Sequence, residues 1–219
     1  VKEYRENVMK YSDGRPVEIA FLIEISSKFP QMFLNEKGRT SVKNDGLMPS
    51  VLSGPVLDFL MPKITLLGNG GAIWILAALI LLCTKKYRRQ GVLLLVGLIA
   101  GVLVGNACLK NLIARPRPCW LDSSVQLLIA NPADYSFPSG HTLSSVIGAT
   151  VLTKTNRRFG YAAIPLAALI AFSRLYLYVH FPSDVLAAAV LGVALGELVW
   201  RCGGKLLERW HAPRGRQRA

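Results

Sequence analysis

Cysteine is scarce in this sequence, and its spacing argues against one common role. The four cysteines, Cys83, Cys108, Cys119 and Cys202, include no C-x-x-C pair, so a zinc knuckle is not supported. The 13 acidic residues form no cluster of the kind that holds Mg²⁺ or Ca²⁺. The first residues lack a basic start followed by an apolar core, so we expect no signal peptide.

Apolar residues are abundant instead. They make up 52% of the 219 residues, and the mean hydropathy is +0.36. Both values are higher than is usual for a soluble domain. From Val51 onward, long apolar runs alternate with short breaks, each run near the ~20 residues that cross a bilayer. We predict an all-α, polytopic transmembrane helix bundle of about five spans. The spans are expected at roughly 65–84, 91–113, 138–154, 160–181 and 185–203.

Basic residues follow the first, third and fifth predicted spans. The clusters are Lys85, Lys86, Arg88 and Arg89; Lys154, Arg157 and Arg158; and Arg201, Lys205, Arg209, Arg214, Arg216 and Arg218. Short basic loops between apolar spans lie in the cytoplasm, so the 114–137 loop and the 181–184 turn are expected outside. A nucleic-acid surface would instead spread its cations along one face of a soluble fold, so we expect no nucleic-acid partner despite the net charge of +13.

The first 50 residues differ from the rest. Their best apolar stretch, Val17–Leu34, is interrupted by Glu18, Glu24, Lys28 and Pro30, which is typical of an amphipathic surface helix rather than a span. We divide the chain into a polar and amphipathic segment of unassigned role (1–50), a transmembrane domain (51–205) and a basic cytoplasmic tail (206–219).

Two spans carry a small residue at every fourth position. These are Gly97, Gly101 and Gly105 in the second span, and Ala188, Gly192 and Gly196 in the fifth. Such a stripe lets another helix approach closely, so we interpret both stripes as packing surfaces of the bundle.

Polar residues beside the apolar spans are informative, because an unpaired charge in a membrane costs several kcal/mol. A single cation such as Lys110 can extend its side chain to the membrane interface. That explanation does not account for several charged residues at one membrane face. On the predicted topology, six such residues gather at the outer membrane face: Lys110, Arg117, His141, Arg174, His180 and Asp184.

The pattern around these residues indicates a phosphate site. Pro138 suits the first turn of a helix, so Ser139–His141 is expected to offer free backbone N–H groups at a helix N-terminus. Three cations and a helix N-terminus suit a phosphoryl group. Of two histidines, one can attack phosphorus and the other can protonate the leaving oxygen. Asp184, four residues after His180, is suited to accept the Nδ1 proton of His180 and leave Nε2 as the nucleophile.

These residues resemble the three-part signature of the type 2 phosphatidic acid phosphatase superfamily. The element K-x(6)-R-P occurs as Lys110–Pro118, P-S-G-H as Pro138–His141, and S-R-x(5)-H-x(3)-D as Ser173–Asp184. The resemblance covers roughly residues 55–205. Arg115 is a second candidate for the arginine of the first element, but its spacing from Lys110 favours Arg117.

The resemblance implies a role for each residue. His180 would form a phosphohistidine, Asp184 would orient it, and His141 would act as general acid and then activate water. The phosphate oxygens would be bound by Lys110, Arg117, Ser139, Gly140 and Arg174. The resemblance also implies no metal and no cofactor, a lipid phosphate substrate, and residence in a bacterial cytoplasmic membrane with the site facing outside. Many members have six spans, so a sixth span stays open.

Three functions remain open at this point. The first is hydrolysis of a lipid phosphate or diphosphate such as undecaprenyl diphosphate, phosphatidylglycerophosphate or phosphatidic acid, with the loop 119–137 lining the entrance. The second is transfer of the phosphoryl group to another acceptor. The third is a transporter or scaffold that only binds lipid phosphates, which leaves the two histidines and the aspartate unexplained. The oligomeric state is not predicted.

Overall fold

The computed structural model describes residues 54–211, with side chains for residues 54–203. Every regular element among the described residues is helical, which confirms the prediction of an all-α fold for that part of the chain. The segment 1–50 lies outside the described residues. The last helix, α8 (Pro182–His211), passes the predicted start of the tail at residue 206.

The first predicted span is broken rather than continuous. Helix α1 spans Pro55–Leu67 and helix α2 spans Ala72–Cys83, with the 3₁₀ turn Asn69–Gly71 between them and a bend of 45°. Gly70 and Gly71 have φ angles of 57° and 74°, the left-handed region that favours glycine. The prediction of one helix over 65–84 missed both this break and most of α1, because hydropathy averages across a short polar turn.

The second span contains an irregular segment next to the site. Helix α3 (Arg88–Gly101) continues into the π-helical segment Val102–Leu109 and the short helix α4 (Lys110–Ile113). Ala114 ends this run with a left-handed φ of 46°. A second short helix, α5 (Pro118–Leu121), precedes an irregular stretch up to residue 139. Because π-helical turns often occur at functional sites, the position of this one just before Lys110 is informative.

Helix α6 (Gly140–Thr155) occupies the centre of the bundle. A Cβ at Gly97 of α3 would lie 2.9 Å from Cγ2 of Ile147, and a Cβ at Gly192 of α8 would lie 2.8 Å from Cβ of Val146. The two small-residue stripes therefore pack against α6 from both sides, which confirms their interpretation as packing surfaces. This close packing fixes the start of α6, where the candidate site lies.

The last two long helices are α7 (Arg157–Tyr176) and α8 (Pro182–His211). Three helices in the described part of the chain are long and apolar enough to span a membrane, and the bent pair α1–α2 makes a fourth candidate. The five predicted spans are therefore supported only in part. Helix α6 makes the difference: its 16 residues extend about 24 Å, short of a ~30 Å hydrocarbon core.

The predicted cytoplasmic ends lie together at one end of the bundle. Lys154 Nζ is 2.8 Å from Glu197 Oε1, which joins the end of α6 to α8. The rings of Tyr87 and Phe159 are 5.5 Å apart, which joins the α2–α3 turn to the start of α7. The starts of α6 and α8 lie at the opposite end, so the bundle separates its basic end from the candidate site.

Candidate active site

His180 lies in the turn between α7 and α8, with one ring nitrogen facing an anion and the other a cation. Its Nδ1 is 3.6 Å from Asp184 Oδ2, and its Nε2 is 3.1 Å from Arg117 Nη1. A guanidinium only donates hydrogen bonds, so Arg117 donates to the Nε2 lone pair and the proton of His180 lies on Nδ1. The sequence predicted this tautomer for a nucleophile.

The protonation state of His180 follows from its surroundings. Burial lowers the pKa of His180 to about 4; the hydrogen bond to Asp184 opposes this shift, and the charge of Arg117 adds to it. The imidazole is therefore neutral at pH 7, and a neutral imidazole is the form that attacks phosphorus.

Asp184 is fully buried within a set of donors. Its Oδ1 accepts from Arg115 Nη1 at 2.6 Å, and its Oδ2 accepts from Ser136 Oγ at 2.5 Å and from the Phe181 backbone N–H at 2.9 Å. A buried carboxylate needs such partners to remain charged. These contacts fix the carboxylate beside Nδ1 of His180.

Arg115 was the second candidate for the phosphate-binding arginine of the first motif element. The structure places it on the Asp184 carboxylate instead. Besides Asp184, its Nη1 donates to Ser183 Oγ at 2.8 Å, and its guanidinium carbon lies 3.9 Å from the centroid of the Phe181 ring. Arg115 holds the carboxylate from behind, whereas Arg117 faces the cavity described below. Both arginines of the R-P-R-P segment therefore serve the site, at different depths.

Lys110 and Arg117 share a partner that the sequence did not indicate. Lys110 Nζ contacts Oδ2 of Asp134, and Arg117 Nη2 donates to Oδ1 of Asp134 at 2.6 Å. Burial acts to raise the pKa of Asp134, but its hydrogen bonds and charge interactions with Lys110 and Arg117 outweigh that effect and lower the pKa to about 2. Asp134 is therefore an anion at neutral pH.

Arg174 retains an unused donor. It is 4% exposed, and its Nη1 donates to Thr65 Oγ1 of α1 at 2.7 Å. Among the described residues, no acceptor lies within hydrogen-bond distance of the Arg174 Nε. A buried N–H without an acceptor is costly, so this guanidinium is suited to an anion that enters the cavity.

The start of α6 provides His141 and the N-terminus predicted to bind the anion. His141 Nε2 is 2.8 Å from Asn69 Oδ1, in the turn between α1 and α2. Ser139 is the N-cap: its hydroxyl accepts from the Thr142 backbone N–H, while its own backbone N–H donates to the Asp184 carbonyl at 3.3 Å. The sequence predicted a free backbone N–H at Ser139, and this prediction is wrong. Of the three predicted donors, the backbone N–H groups of Gly140 and His141 are left to bind an anion.

A cavity of about 650 Å³ joins these groups. Its walls include six of the eight predicted site residues: Lys110, Arg117, Gly140, His141, Arg174 and His180. The other two, Ser139 and Asp184, are fully buried and do not line it. Leu66 of α1 and Val102 of the π-helical segment line the same cavity and are 60% and 54% exposed. The cavity therefore combines a cationic region with an apolar edge.

Comparison with known proteins assigns the family. The model of the PAP2 superfamily matches residues 90–208. The chain belongs to the PAP2 superfamily. This confirms the resemblance seen in the three motif elements, and all the matched PAP2 elements contribute residues to the cavity or to the support behind it.

Three relatives illustrate the PAP2 membership. The chain is 35% identical over 121 residues to an undecaprenyl-diphosphatase of Sulfolobus acidocaldarius, covering 55% of this chain and 58% of that protein. It is 31% identical over 146 residues to undecaprenyl-diphosphatase BcrC of Bacillus subtilis, covering 67% and 75%. The crystal structure of Aquifex aeolicus LpxE matches with a TM-score of 0.61 and 28% identity, covering 68% of this chain and 88% of that one. The first two relatives are named as phosphatases, which supports hydrolase activity in this family.

Residues outside the predicted site that contact its side chains include Thr65, Asn69, Arg115, Asp134 and Ser136. The sequence indicated some of these residues more clearly than others. Arg115 lies inside the first motif and was considered for a different role. The glycines around Asn69 could have indicated a turn, which the prediction of one helix over 65–84 missed, and no pattern indicated the contact of Asn69 with His141. Asp134 and Ser136 lie in an irregular loop whose path is not predictable from periodicity.

Proposed function

We propose that this chain is an integral membrane phosphatase that hydrolyses a lipid phosphate or diphosphate through a phosphohistidine on His180. The observation that carries the proposal is the environment of His180, with Asp184 beside Nδ1 and Arg117 donating to Nε2. A purely binding site needs cations, but it does not need a neutral histidine with its proton held on the far nitrogen. This contrast favours an enzyme over a transporter or scaffold.

In the proposed first step, Nε2 of His180 attacks phosphorus and forms a P–N bond. The bond between phosphorus and the leaving oxygen breaks, and that oxygen takes a proton from His141. Lys110, Arg117 and Arg174, with the backbone N–H groups of the α6 start, stabilise the charge on the phosphoryl oxygens. The positive charge that develops on the His180 imidazole is balanced by Asp184.

In the second step, water attacks the phosphohistidine. His141, which gave up a proton in the first step, takes a proton from the water, the P–N bond breaks, and inorganic phosphate leaves. His141 thereby regains the proton for the next turnover. The mechanism uses no metal, so EDTA is expected to leave the rate unchanged.

The shape of the cavity supports a lipid substrate. Exposed apolar residues of α1 and of the π-helical segment line the cavity beside the cations, so a lipid headgroup can reach the cations while its tail remains among apolar side chains. Undecaprenyl diphosphate is the first candidate, since two of the relatives are named for that activity. Phosphatidylglycerophosphate and phosphatidic acid are the other substrates to compare.

We further propose that the site faces the outside of a bacterial cytoplasmic membrane. The support is the position of the first two basic clusters, which lie at the end of the bundle opposite His180 and mark the cytoplasmic side. Reporter fusions at the C-terminus test the orientation. Fluorescence of a C-terminal GFP fusion supports it, and activity of a C-terminal alkaline phosphatase fusion contradicts it.

The activity is tested with the purified full chain in detergent and in EDTA. Release of inorganic phosphate from the three lipids is measured for the wild type and for the His180→Ala and His141→Ala variants. His211→Ala, which removes the third histidine of the chain, is the matched control. The proposal requires phosphate release that is lost in the first two variants and kept in the control. Retained release in His180→Ala would exclude the phosphohistidine, and phosphate appearing on an added alcohol instead of in water would identify a transferase.

A further inference from the structure

The Asp134 carboxylate forms ion pairs with Lys110 and Arg117, two of the cations proposed to bind the phosphoryl group. Each oxygen of its carboxylate takes one cation: Oδ2 contacts Lys110 Nζ, and Oδ1 accepts from Arg117 Nη2. The backbone carbonyl of the same residue accepts from Arg117 Nε at 2.7 Å. A phosphoryl oxygen in this part of the cavity would need the same N–H groups, so the two anions exclude each other.

The burial of the three side chains shows which partner can leave. The side chains of Lys110 and Arg117 are 8% and 2% exposed, whereas that of Asp134 is 56% exposed. Buried cations are costly without an anion. The exposed carboxylate can be exchanged for another anion, because water can solvate it once it leaves.

Arg117 keeps other partners when the carboxylate is exchanged. Its Nη1 donates to the Val179 carbonyl at 2.6 Å, and its Nε donates to the backbone carbonyl of Asp134. The guanidinium therefore remains in place beside His180. Its Nη2, which also lies 3.4 Å from the Tyr135 carbonyl, is the group that exchanges the carboxylate for another acceptor. Exchange at this site involves a carboxylate and a phosphoryl oxygen, with no rearrangement of the cation itself.

We propose that the Asp134 carboxylate competes with phosphate for Lys110 and Arg117 and thereby sets how tightly the active site holds inorganic phosphate. The inference rests on the phosphate site proposed above and adds a residue that sets its affinity. Asp134 weakens the binding of lipid phosphate and of free phosphate alike, but a lipid phosphate has its tail to add binding energy, whereas the free phosphate product has none. Asp134 thus promotes release of the product while the lipid substrate can still bind.

The test compares Asp134→Asn with Asp122→Asn in the full-length protein. Asp122 lies at the end of α5 and accepts from the backbone N–H and hydroxyl of Ser124, so its neutralisation changes the net charge equally without touching the cation pair. Inhibition of lipid phosphate hydrolysis by inorganic phosphate and by vanadate is measured for both variants. The dissociation constant of inorganic phosphate is measured by calorimetry on the same preparations.

Removal of the competing charge is expected to lower both inhibition constants by about two- to thirtyfold, from two partly exposed ion pairs. Asp122→Asn is expected to keep the wild-type constants, and Asp134→Glu, which retains the charge, is expected to stay within about threefold of the wild type. Constants for Asp134→Asn equal to or above those of the wild type would overturn the proposal, since they would mean that Asp134 helps to hold phosphate or has no contact with it.

Failure of the proposed function would give a different result. A wild-type protein that releases no phosphate from any lipid contradicts the phosphatase assignment, while calorimetric binding of phosphate still decides the role of Asp134. If Asp134→Asn does not yield folded protein, Asp134→Ser is measured in the same way, and the comparison with Asp134→Glu remains.

Discussion

Truncation of Arg115 is expected to weaken the fold and slow catalysis together. The Arg115 side chain is 6% exposed and that of Asp184 is 0% exposed, and Nη1 of the arginine lies 2.6 Å from Oδ1 of the aspartate. An Arg115→Met variant keeps an apolar stem but leaves the buried carboxylate with neutral donors only. Breaking a buried ion pair from one side costs about 3–5 kcal/mol, because the remaining charge is uncompensated.

This magnitude corresponds to a large change in thermal stability. For a chain of this size, 1 kcal/mol shifts Tm by about 2–4 °C, so Arg115→Met is expected to lower Tm by roughly 6–20 °C. Asp184→Asn leaves a buried guanidinium instead and is expected to cost a similar amount. The double variant Arg115→Met/Asp184→Asn removes both charges and is expected to lose less than the sum of the single variants, with a coupling of about 1–3 kcal/mol.

The assay is thermal unfolding of the four proteins in one detergent, followed by intrinsic fluorescence, with phosphate release measured in parallel. Activity distinguishes positioning from a purely structural role: the double variant regains stability but not kcat, since Asp184 no longer balances the charge on His180. Additive losses of Tm in the double variant would show that the pair is not coupled. Full activity of Arg115→Met would remove Arg115 from the support of the catalytic dyad.

Three further predictions concern catalysis and packing. Burial lowers the pKa of His180 to about 4, and the neutral imidazole is the reactive form. The value of kcat/KM is therefore expected to stay constant down to about pH 5 and to fall as the pH approaches 4. A fall of kcat/KM centred near pH 6.5, the ordinary pKa of histidine, would contradict this. Asn69→Ala removes the hydrogen bond to the general-acid histidine and is expected to lower kcat by up to about tenfold with little change in KM, whereas Asn111→Ala, which loses only a contact with its own helix, is expected to have no effect. Gly192→Leu forces a side chain into α6 and is expected to cost about 1–3 kcal/mol in thermal unfolding; Val193→Leu on the exposed face is the control, and equal stability of the two would refute the close approach of α8 to α6.

The predicted site residues could be found from the sequence because their spacing carries information that does not depend on helix boundaries. His180 lies just before α8 and Asp184 lies in its first turn, four residues further on. Ser139–His141 do mark a helix start, although Pro138 precedes the N-cap Ser139 and does not lie in the first turn as expected. The small-residue stripes of α3 and α8 have the same property, since a period of four specifies one face of a helix. Local spacing therefore predicted the residues and their packing surfaces.

Features that depend on the path of the backbone could not be predicted in this way. The break at 68–71 and the π-helical segment at 102–109 change the direction of apolar runs without changing their hydropathy. Asp134 reaches Lys110 across 24 residues of short helix and irregular loop, and no periodicity relates the two. The count of five spans is supported only in part, because hydropathy did not indicate that the α6 helix has only 16 residues.

The contacts of Arg117 relate the tautomer of His180 to the competition between Asp134 and phosphate, and so to the attack on phosphorus. Arg117 donates from Nη1 to the lone pair of Nε2 and from Nη2 to Asp134. A phosphoryl group that replaces the carboxylate on Nη2 also offers an oxygen to Nη1, and transfer of that donor from Nε2 to phosphate would uncover the lone pair needed for attack. The Nη1 donor would thus cover the nucleophile only until a phosphoryl oxygen replaces Nε2 as its acceptor, while the guanidinium itself stays in place. Since Asp184 keeps the proton on Nδ1 throughout, substrate binding and exposure of the nucleophile become one event.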